Sequence, residues 1–456
     1  MSKNRQNAWI CLCLCVWLQL ILAGRAADTN SLAWHRGTDH VDADVHGMAL
    51  WPLLEKIATD AGWQIYVEPD TAHSASAKFK DLPSGEALKR LLGDLNFALV
   101  PRTNAVPQLY VFRTVMKNAT QRVFPSKAAD RRVANEVLVK LKPGTDIDAL
   151  AKQLGAKITG RNDKLGLYRL LFDNASAADT ALGQLKNNSD VAGADYNYYF
   201  DPPPPIQPLA SASVPPLSLT LNPPGDSGKV IVGLIDTPVQ SLGAQLDKFI
   251  LPQQSVAGSA NVNNTDPTHG TAMAYTILEA IAQQSTGGGS SAQILPVDVY
   301  GPNANTTSWD VALGIQKAVD GGANVLNLSL GGPSDSPILD NVIQQAIAAG
   351  IPVYAAAGNQ PVTTPTYPAA DPGVFSVTAL QQKGQIAPYA DYGLWVDLAF
   401  PGASVVYFNG QAWGVQGTSV ATGYATGVYA GIRVVTGFSG AQIQSLMQQK
   451  FAVPAR

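Results

Sequence analysis

The segment that decides the fold is "VIVGLIDT", residues 230–237, in which an almost continuous apolar run ends in a carboxylate. Further apolar runs follow at 293–299 (QILPVDV), 324–330 (NVLNLSL) and 352–358 (PVYAAAG), and helical patterns separate them at 308–320 and 336–350. Continuous apolar strands that alternate with helices are typical of a parallel sheet covered on both faces. We therefore predict an α/β fold, a doubly wound and mostly parallel sheet over residues 229–456.

Two small α+β domains are predicted before this sheet. Residues 42–114, within a domain at 37–115, repeat a strand-helix-strand pattern with an offset of 34 residues, ending in "WQIYV" and then in "FALV". Residues 133–200 have the pattern βαββαβ of a compact open sandwich. A segment rich in proline and serine follows at 201–228, and its composition predicts an extended, exposed linker.

The N-terminus has the pattern of an export signal. Lys3 and Arg5 precede an apolar run at 8–22, and small residues follow as far as Ala27. We predict a signal peptide over 1–27, cleaved after Ala26 or Ala27, and an uncleaved membrane anchor is the alternative. All three cysteines, at positions 11, 13 and 15, lie inside the run, so the mature chain would contain no thiol, disulfide or cysteine metal site. The net charge of −3, with only 14% charged residues, argues against a nucleic-acid surface.

Three residues of the α/β region have the chemistry of a nucleophilic site. Asp236 ends the first strand, and His269, in "THGTAMA", is the only histidine after position 73. Ser419 lies in "GTSVATG", at a predicted helix N-terminus. A serine hydroxyl needs a base to take its proton, and the base needs a carboxylate to orient it. No histidine follows Ser419, which excludes the order serine, acid, histidine, and the chain order is Asp, His, Ser.

The region from about 229 to 435 resembles the subtilisin family of serine proteases. Seven blocks occur in the family's order: GLIDT, HGTAMA, NVLNLSLGG, AAAGN, YPAADPGVFSVTA, YGLWVDLAFPG and GTSVATGYATGV. The resemblance implies an endopeptidase that hydrolyses polypeptides with Asp236, His269 and Ser419 as a catalytic triad. It also implies that the Asn359 side chain donates to the oxyanion.

The same resemblance implies where a substrate binds. Ser329, Leu330 and Gly331 match the family's substrate-binding edge, where an extended peptide adds as a strand. Ala356, Ala357 and Gly358 would form the opposite wall of the pocket for the residue before the cleaved bond. Tight core packing is the alternative reading of the alanines.

Both small domains resemble known modules. Residues 133–200 are similar to the propeptides that precede several subtilisin-like enzymes and act as folding helpers and inhibitors. They imply a zymogen with an intramolecular inhibitor, and we expect self-cleavage between about Tyr198 and Ser213. Residues 42–114 resemble the short N-terminal domain of secretins and TonB-dependent receptors, which makes an envelope protein a candidate partner.

The sequence also leaves a non-enzymatic alternative. Pro238 replaces the glycine usual after the Asp-Thr pair, and Gly423 replaces a proline that normally follows the serine block. Both changes are expected to alter local geometry rather than chemistry, but a catalytically silent peptide-binding or adaptor protein of the envelope stays open. No carboxylate cluster suggests calcium, so we expect no metal and no cofactor. The expected location is periplasmic or secreted.

Overall fold

The computed structural model describes residues 30–35, 37–69, 71–102, 105–119, 121–123, 131–200, 203–209, 217–223 and 229–454. The predicted signal peptide and its cysteines lie outside these ranges. The chain divides into two compact units, Met1–Ser126 and Lys127–Arg456. In the part of the chain that is described, no helix combines the length and apolar character needed to cross a bilayer.

The first unit consists of two strand-helix-strand repeats with additional strands. Its elements are β1 (Ser31–His35), β2 (His40–Ala49), α1 (Leu50–Ala61), β3 (Gln64–Val67), β4 (Ser74–Pro83), α2 (Ser84–Leu92), β5 (Asn96–Arg102), β6 (Ala105–Phe112) and β7 (Gln121–Val123). They form one sheet in the order β1-β2-β4 and another in the order β5-β6-β3-β7. The two helices begin at Leu50 and Ser84, that is 84 − 50 = 34 residues apart, which matches the predicted repeat.

The second unit begins with the predicted βαββαβ sandwich. Its elements are β8 (Arg132–Leu141), α3 (Ile147–Leu154), β9 (Lys157–Asn162), β10 (Leu167–Leu171), α4 (Ala175–Lys186) and β11 (Val191–Tyr198). The antiparallel sheet has the order β11-β8-β10-β9. Both helices begin at side-chain caps, because Asp146 accepts from two backbone N–H groups and Asn174 from one. Their apolar faces cover one side of the sheet around Val137, Val139 and Leu170.

The remainder of the second unit is the predicted α/β domain. Its strands are β12 (Gln207–Pro208), β13 (Thr220–Leu221), β14 (Ile231–Asp236), β15 (Gln254–Ser255), β16 (Gly289–Ser290), β17 (Gln293–Asp298), β18 (Val325–Leu328), β19 (Val353–Ala356), β20 (Phe375–Leu380), β21 (Leu398–Pro401), β22 (Ala403–Phe408) and β23 (Gln411–Gln416). Its helices are α5 (His269–Gln284), α6 (Ser308–Asp320), α7 (Pro337–Ala348), α8 (Thr418–Thr436) and α9 (Gly440–Phe451).

Seven strands form the central sheet, in the order β15-β17-β14-β18-β19-β20-β21, and every neighbouring pair is parallel. Helices α5 and α8 contribute to the apolar cluster on one face, and α6 and α7 contribute to the cluster on the other. The strands are buried on both sides, which explains their continuous apolar sequences. This doubly wound α/β arrangement confirms the predicted fold class.

The segment at 201–228 differs from the exposed linker that its composition predicts. In the parts that are described, β12 pairs with β23 and β13 pairs with β16. Leu219 is fully buried in the core, and its carbonyl oxygen accepts from Nε2 of Gln245 at 3.0 Å. Proline leaves these stretches extended, and the extended backbone pairs with strands of the α/β domain instead of lying free in water.

Candidate active site

Asp236 and His269 form a buried, hydrogen-bonded pair at the carboxyl end of β14, a strand of the seven-stranded sheet. Nδ1 of His269 donates to Oδ1 of Asp236 at 2.8 Å and lies 3.0 Å from Oδ2. The backbone N–H of Thr237 donates to Oδ1 as well, at 2.7 Å. Because an ionised carboxylate only accepts, the shared proton resides on Nδ1, and Nε2 of a neutral imidazole carries a free lone pair.

The start of α5 places the imidazole against this carboxylate. His269 is the first residue of the helix, and Thr268 caps it by accepting from the N–H of Thr271. The N–H of Gly270 donates to Oγ1 of Thr237 at 2.7 Å, and a Cβ at Gly270 would lie 2.1 Å from the carbonyl oxygen of Thr237. Only glycine permits this approach of helix and strand end. The second nitrogen, Nε2 of His269, is buried and has no hydrogen-bond partner among the described residues.

Ser419 lies in the first turn of α8, on the same face of the sheet as α5. The helix begins after Gly417, whose φ of 148° is in the region that favours glycine. Ser419 and Ser329 exchange two hydrogen bonds: Oγ of Ser419 donates to the carbonyl oxygen of Ser329 at 3.1 Å, and Oγ of Ser329 donates to that of Ser419 at 3.1 Å. In this state the Ser419 hydroxyl donates to a backbone carbonyl.

Asn359 follows strand β19 and is attached to the start of the serine helix. Its Oδ1 accepts from the backbone N–H of Thr418 at 2.9 Å and from Oγ1 of Thr418 at 3.2 Å. Oγ1 of Thr418 in turn accepts from the N–H of Gly358 at 3.1 Å. Since the oxygen of the amide is engaged, its NH₂ group is the part that can donate to a ligand. The N–H of Ser419 belongs to the first turn of α8, where the first backbone N–H groups have no carbonyl four residues earlier within the helix.

The predicted substrate-binding residues lie on two adjacent strand ends. Ser329 and Leu330 follow β18 and are buried, and Gly331 is half-buried. Ala356 ends β19, Ala357 is fully buried, and Gly358 begins the loop that carries Asn359. The structure thus places both alanines in the core, and their role as a wall of the substrate pocket remains a prediction.

A carboxylate that the sequence analysis missed supports the Asn359 loop. Asp391 accepts from the backbone N–H groups of Gln360 at 2.7 Å and Val362 at 3.3 Å, and from Oγ1 of Thr366 at 3.2 Å. Burial raises the pKa of Asp391 to about 7, although these hydrogen bonds oppose the shift. No local pattern identifies this residue, because its partners are 25 to 31 positions away in the sequence.

No group of His, Cys, Asp or Glu within the described ranges could hold a metal ion.

The sandwich domain contacts the α/β domain through the buried side chain of Asn197. Oδ1 of Asn197 accepts from Oγ of Ser308 at 3.0 Å and from the N–H of Trp309 at 3.1 Å, at the N-terminus of α6. Nδ2 of Asn197 donates to Glu136 at 2.7 Å, within the sandwich. Beyond β11, the N–H of Phe200 donates to the carbonyl oxygen of Thr306 at 3.0 Å. The Phe200 ring also lies 3.5 Å from the position that a Cβ on Gly332 would take, one residue beyond the predicted substrate-binding edge.

Comparisons with known proteins agree with these observations. Residues 227–453 match the Subtilase family (peptidase S8), and residues 118–197 match the Fervidolysin N-terminal prodomain. The chain is 32% identical over 222 residues to thermitase of Thermoactinomyces vulgaris, covering 48% of this chain and 79% of thermitase. It is 29% identical over 337 residues to a thermophilic serine proteinase of Bacillus sp. (strain AK1), covering 70% of this chain and 82% of that protein.

Two further comparisons cover a smaller share of the other protein. The chain is 34% identical over 190 residues to a thermostable alkaline protease of Halalkalibacterium halodurans and spans about half (52%) of its length. The crystal structure of fervidolysin from Fervidobacterium pennivorans, a keratinolytic enzyme related to subtilisin, superposes with a TM-score of 0.53 at 20% identity, covering 70% of this chain and 57% of fervidolysin. That structural likeness concerns the fold. The matched residues begin at 118, so the resemblance of residues 42–114 to secretin domains stays a prediction.

Proposed function

Because the chain belongs to the subtilase family of subtilisin-type serine endopeptidases and carries a prodomain, we propose that it is an exported protease made as a zymogen, with Asp236, His269 and Ser419 as its catalytic triad. The observation that carries the proposal is the buried pair of Asp236 and His269, whose free Nε2 has no partner among the described residues. A buried, unpaired acceptor on an oriented imidazole is costly unless a proton donor uses it during function.

The proposed reaction begins with a movement of the Ser419 hydroxyl. Oγ leaves the carbonyl oxygen of Ser329 and donates to Nε2 of His269, which takes the proton as Oγ attacks the carbonyl carbon of the substrate. Asp236 stabilises the imidazolium through Nδ1. His269 then gives the proton to the leaving amine, and a water molecule hydrolyses the acyl-enzyme with the same histidine as base.

The negative oxygen of the tetrahedral intermediate would be stabilised by two donors. The N–H of Ser419 is one, and the side-chain NH₂ of Asn359 is the other, because the Asn359 oxygen is already held by Thr418. Donors fixed in advance stabilise charge without reorganisation, and removal of one such donor in subtilisin costs about 2.7–4 kcal/mol of transition-state stabilisation.

A polypeptide substrate would bind as an extended strand beside Ser329, Leu330 and Gly331. Ala356, Ala357 and Gly358 would line the pocket for the residue before the cleaved bond. Small side chains there leave room for an apolar residue of medium or large size. The prodomain, attached through Asn197 and Phe200, would cover this edge and act as the intramolecular inhibitor. Residues 42–114 remain the candidate for binding an envelope protein, and the proposed location is periplasmic or secreted.

Labelling with a fluorophosphonate probe, which reacts with an activated serine, tests this function. The full chain is incubated with the probe, both as purified and after limited digestion by an unrelated protease that removes the prodomain. We expect labelling after digestion, no labelling of Ser419→Ala, and full labelling of Ser259→Ala, a control at an exposed serine of the same domain. Labelling that persists in Ser419→Ala, or that never appears in the wild type, would exclude Ser419 as the nucleophile and favour a peptide-binding protein.

A further inference from the structure

Asn359, the proposed oxyanion donor, is not held in place by core packing. It is exposed, and it lies in the loop that follows β19. A donor stabilises the transition state effectively only when it is oriented before the reaction begins. Hydrogen bonds to this loop therefore have to supply the restraint that packing does not.

Asp391 bonds the backbone on both sides of Asn359. On one side, the N–H of Asp391 donates to the carbonyl oxygen of Gly358 at 2.9 Å. On the other side, Oδ1 of Asp391 accepts from the N–H groups of Gln360 at 2.7 Å and Val362 at 3.3 Å. The peptide units immediately before and after Asn359 are thus both fixed, and with them the direction in which its side chain leaves the backbone.

Asp391 is itself attached to the central sheet. Oγ1 of Thr378, a fully buried residue of β20, donates to the carbonyl oxygen of Asp391 at 2.6 Å. At the far end of the loop contacts, Oδ1 of Asn359 accepts from the N–H of Thr418 at 2.9 Å. A continuous series of hydrogen bonds therefore runs from the sheet, through Asp391 and Asn359, to the start of the helix that carries Ser419.

The loop backbone approaches the carboxylate of Asp391 closely. A Cβ at Gly358 would lie 2.2 Å from Oδ2 of Asp391, and the φ of 116° at Gly358 is in the region that favours glycine. Oγ1 of Thr366, further along the same loop, donates to Oδ2 at 3.2 Å. Both oxygens of this buried carboxylate are therefore engaged by the loop that carries Asn359.

The support that Asp391 gives does not depend on its protonation state. Oδ1 accepts from the two N–H groups in either state, because a neutral carboxyl group can carry its proton on Oδ2. A protonated Oδ2 donates to Oγ1 of Thr366, since a hydroxyl can accept as well as donate. An asparagine side chain has the same shape and the same donor and acceptor pattern as this neutral form, whereas alanine removes every side-chain bond.

We propose that Asp391 is a positioning residue for the oxyanion donor, which holds the loop so that the NH₂ group of Asn359 stays directed at the oxygen of the tetrahedral intermediate. Asp391 acts through Asn359 and not on the substrate. Its removal therefore costs at most what removal of the Asn359 side chain costs. This inference deepens the proposed function and rests on the donor role proposed there for Asn359.

The test measures kcat and KM for a fluorogenic peptide, with the full chain activated by the same limited digestion in every variant. Asp391→Ala should lower kcat at least about tenfold, up to the limit of about 10²- to 10³-fold expected for Asn359→Ala, with KM changed less than about twofold. Asp391→Asn should keep kcat within about threefold of the wild type, because it preserves the bonds to the loop. Asp397→Ala is the matched control: Asp397 also accepts from a backbone N–H and a hydroxyl, but both belong to Ser376 in β20.

A double-mutant cycle separates positioning from a general structural effect. In the Asn359→Ala background, Asp391→Ala should lower kcat by less than about threefold, because the group that it positions is already absent. The proposal is overturned by an equal loss in both backgrounds, by an unchanged kcat in Asp391→Ala, by a loss that appears in KM instead, or by an equal loss in Asp391→Asn. If Asp391→Ala does not fold, Asp391→Ser replaces it with the same expected results, because the serine side chain ends one bond before the position of Oδ1.

Hydrogen exchange distinguishes failure of this inference from failure of the proposed function. A wild type without turnover in any form would reject the catalytic function, and the amide of Thr418, which donates to Asn359, would still report on the loop. That amide should exchange at least about tenfold faster in Asp391→Ala than in the wild type or in Asp397→Ala. Faster exchange supports the positioning of Asn359 by Asp391, and equal exchange rates overturn it, whatever the activity.

Discussion

Replacement of Asn197 by Ala should release the inhibition that the prodomain exerts. Asn197 is fully buried and connects Glu136 in the prodomain to Ser308 and Trp309 at the start of α6. The substitution removes the acceptor for the Trp309 N–H, and an unsatisfied buried donor costs about 1–3 kcal/mol. Loss of the bond from the Ser308 hydroxyl adds about 1 kcal/mol. The interface therefore loses about 2–4 kcal/mol in total.

That loss converts into a measurable change in latency. At 1.4 kcal/mol per factor of ten, the dissociated fraction of the prodomain should rise between about 30-fold and 700-fold. The assay is the initial rate of fluorogenic-peptide hydrolysis by the uncut full chain, which should rise by the same factor until the dissociated form predominates. Asn187→Ala is the matched control, because Asn187 is exposed on the same domain and bonds only within its own helix.

A second readout separates release of the prodomain from general destabilisation. Hydrogen exchange of the Trp309 amide should accelerate in Asn197→Ala, whereas amides in the core of the prodomain, such as that of Leu170, should not change. Unchanged latency together with unchanged protection of Trp309 would show that Asn197 does not hold the interface. Acceleration throughout the prodomain would attribute the effect to unfolding instead.

Four further substitutions test the site. Ser419→Ala and His269→Ala should each lower kcat by about 10⁶-fold in the activated enzyme. The double variant should be little worse, since the effects of residues that act as a unit are not additive. Additive losses in kcat would contradict a shared mechanism. Asn359→Ala should lower kcat about 10²- to 10³-fold with a small change in KM. A rise in KM of the same size would instead indicate a role in substrate binding. Asp391→Asn should remove a pH dependence of stability. Because the pKa of Asp391 is raised to about 7, the folded protein holds a proton that the unfolded chain releases near pH 4, so wild-type stability falls as pH rises from about 4 to 7, by up to about 4 kcal/mol. Melting curves from pH 4 to 8 should show wild type losing stability relative to Asp391→Asn, and parallel curves would refute the assignment.

Much of the fold follows from local sequence pattern. The helical pattern at 308–320 corresponds to α6, and the apolar run ending in Asp236 corresponds to β14. The apolar pattern predicts these elements correctly because each is buried on the face where its own apolar residues lie. The positions of Asp236, His269 and Ser419 at strand and helix ends follow from the same patterns. Their catalytic roles remain a prediction.

Asn197 and Asp391 could not be identified in this way. Asn197 occupies a strand position whose polar side chain, read locally, would face water, and its acceptor role exists only because Ser308 and Trp309 approach from 111 and 112 residues away. The role of Asp391 is likewise visible only in the folded protein, because its donors lie in the loop after Asn359. Local pattern shows that a group is polar, but it does not show which distant donors satisfy that group.

The proline-rich segment at 201–228 is another case in which local sequence composition does not determine the structure. Proline restricts an unfolded chain to extended conformations, and this predicts a linker. The restriction also lowers the conformational entropy that is lost when the segment pairs with an existing strand edge. The same composition therefore suits a free linker or a paired strand. The available edge of β23 determines the outcome here. Gln207 pairs with Gly414, and the N–H of Leu209 donates to the carbonyl oxygen of Ala412, although these partners are about 200 residues apart in the sequence. Since that edge belongs to the strand that precedes the helix of Ser419, a stretch whose composition predicts a free spacer is instead attached to the α/β domain.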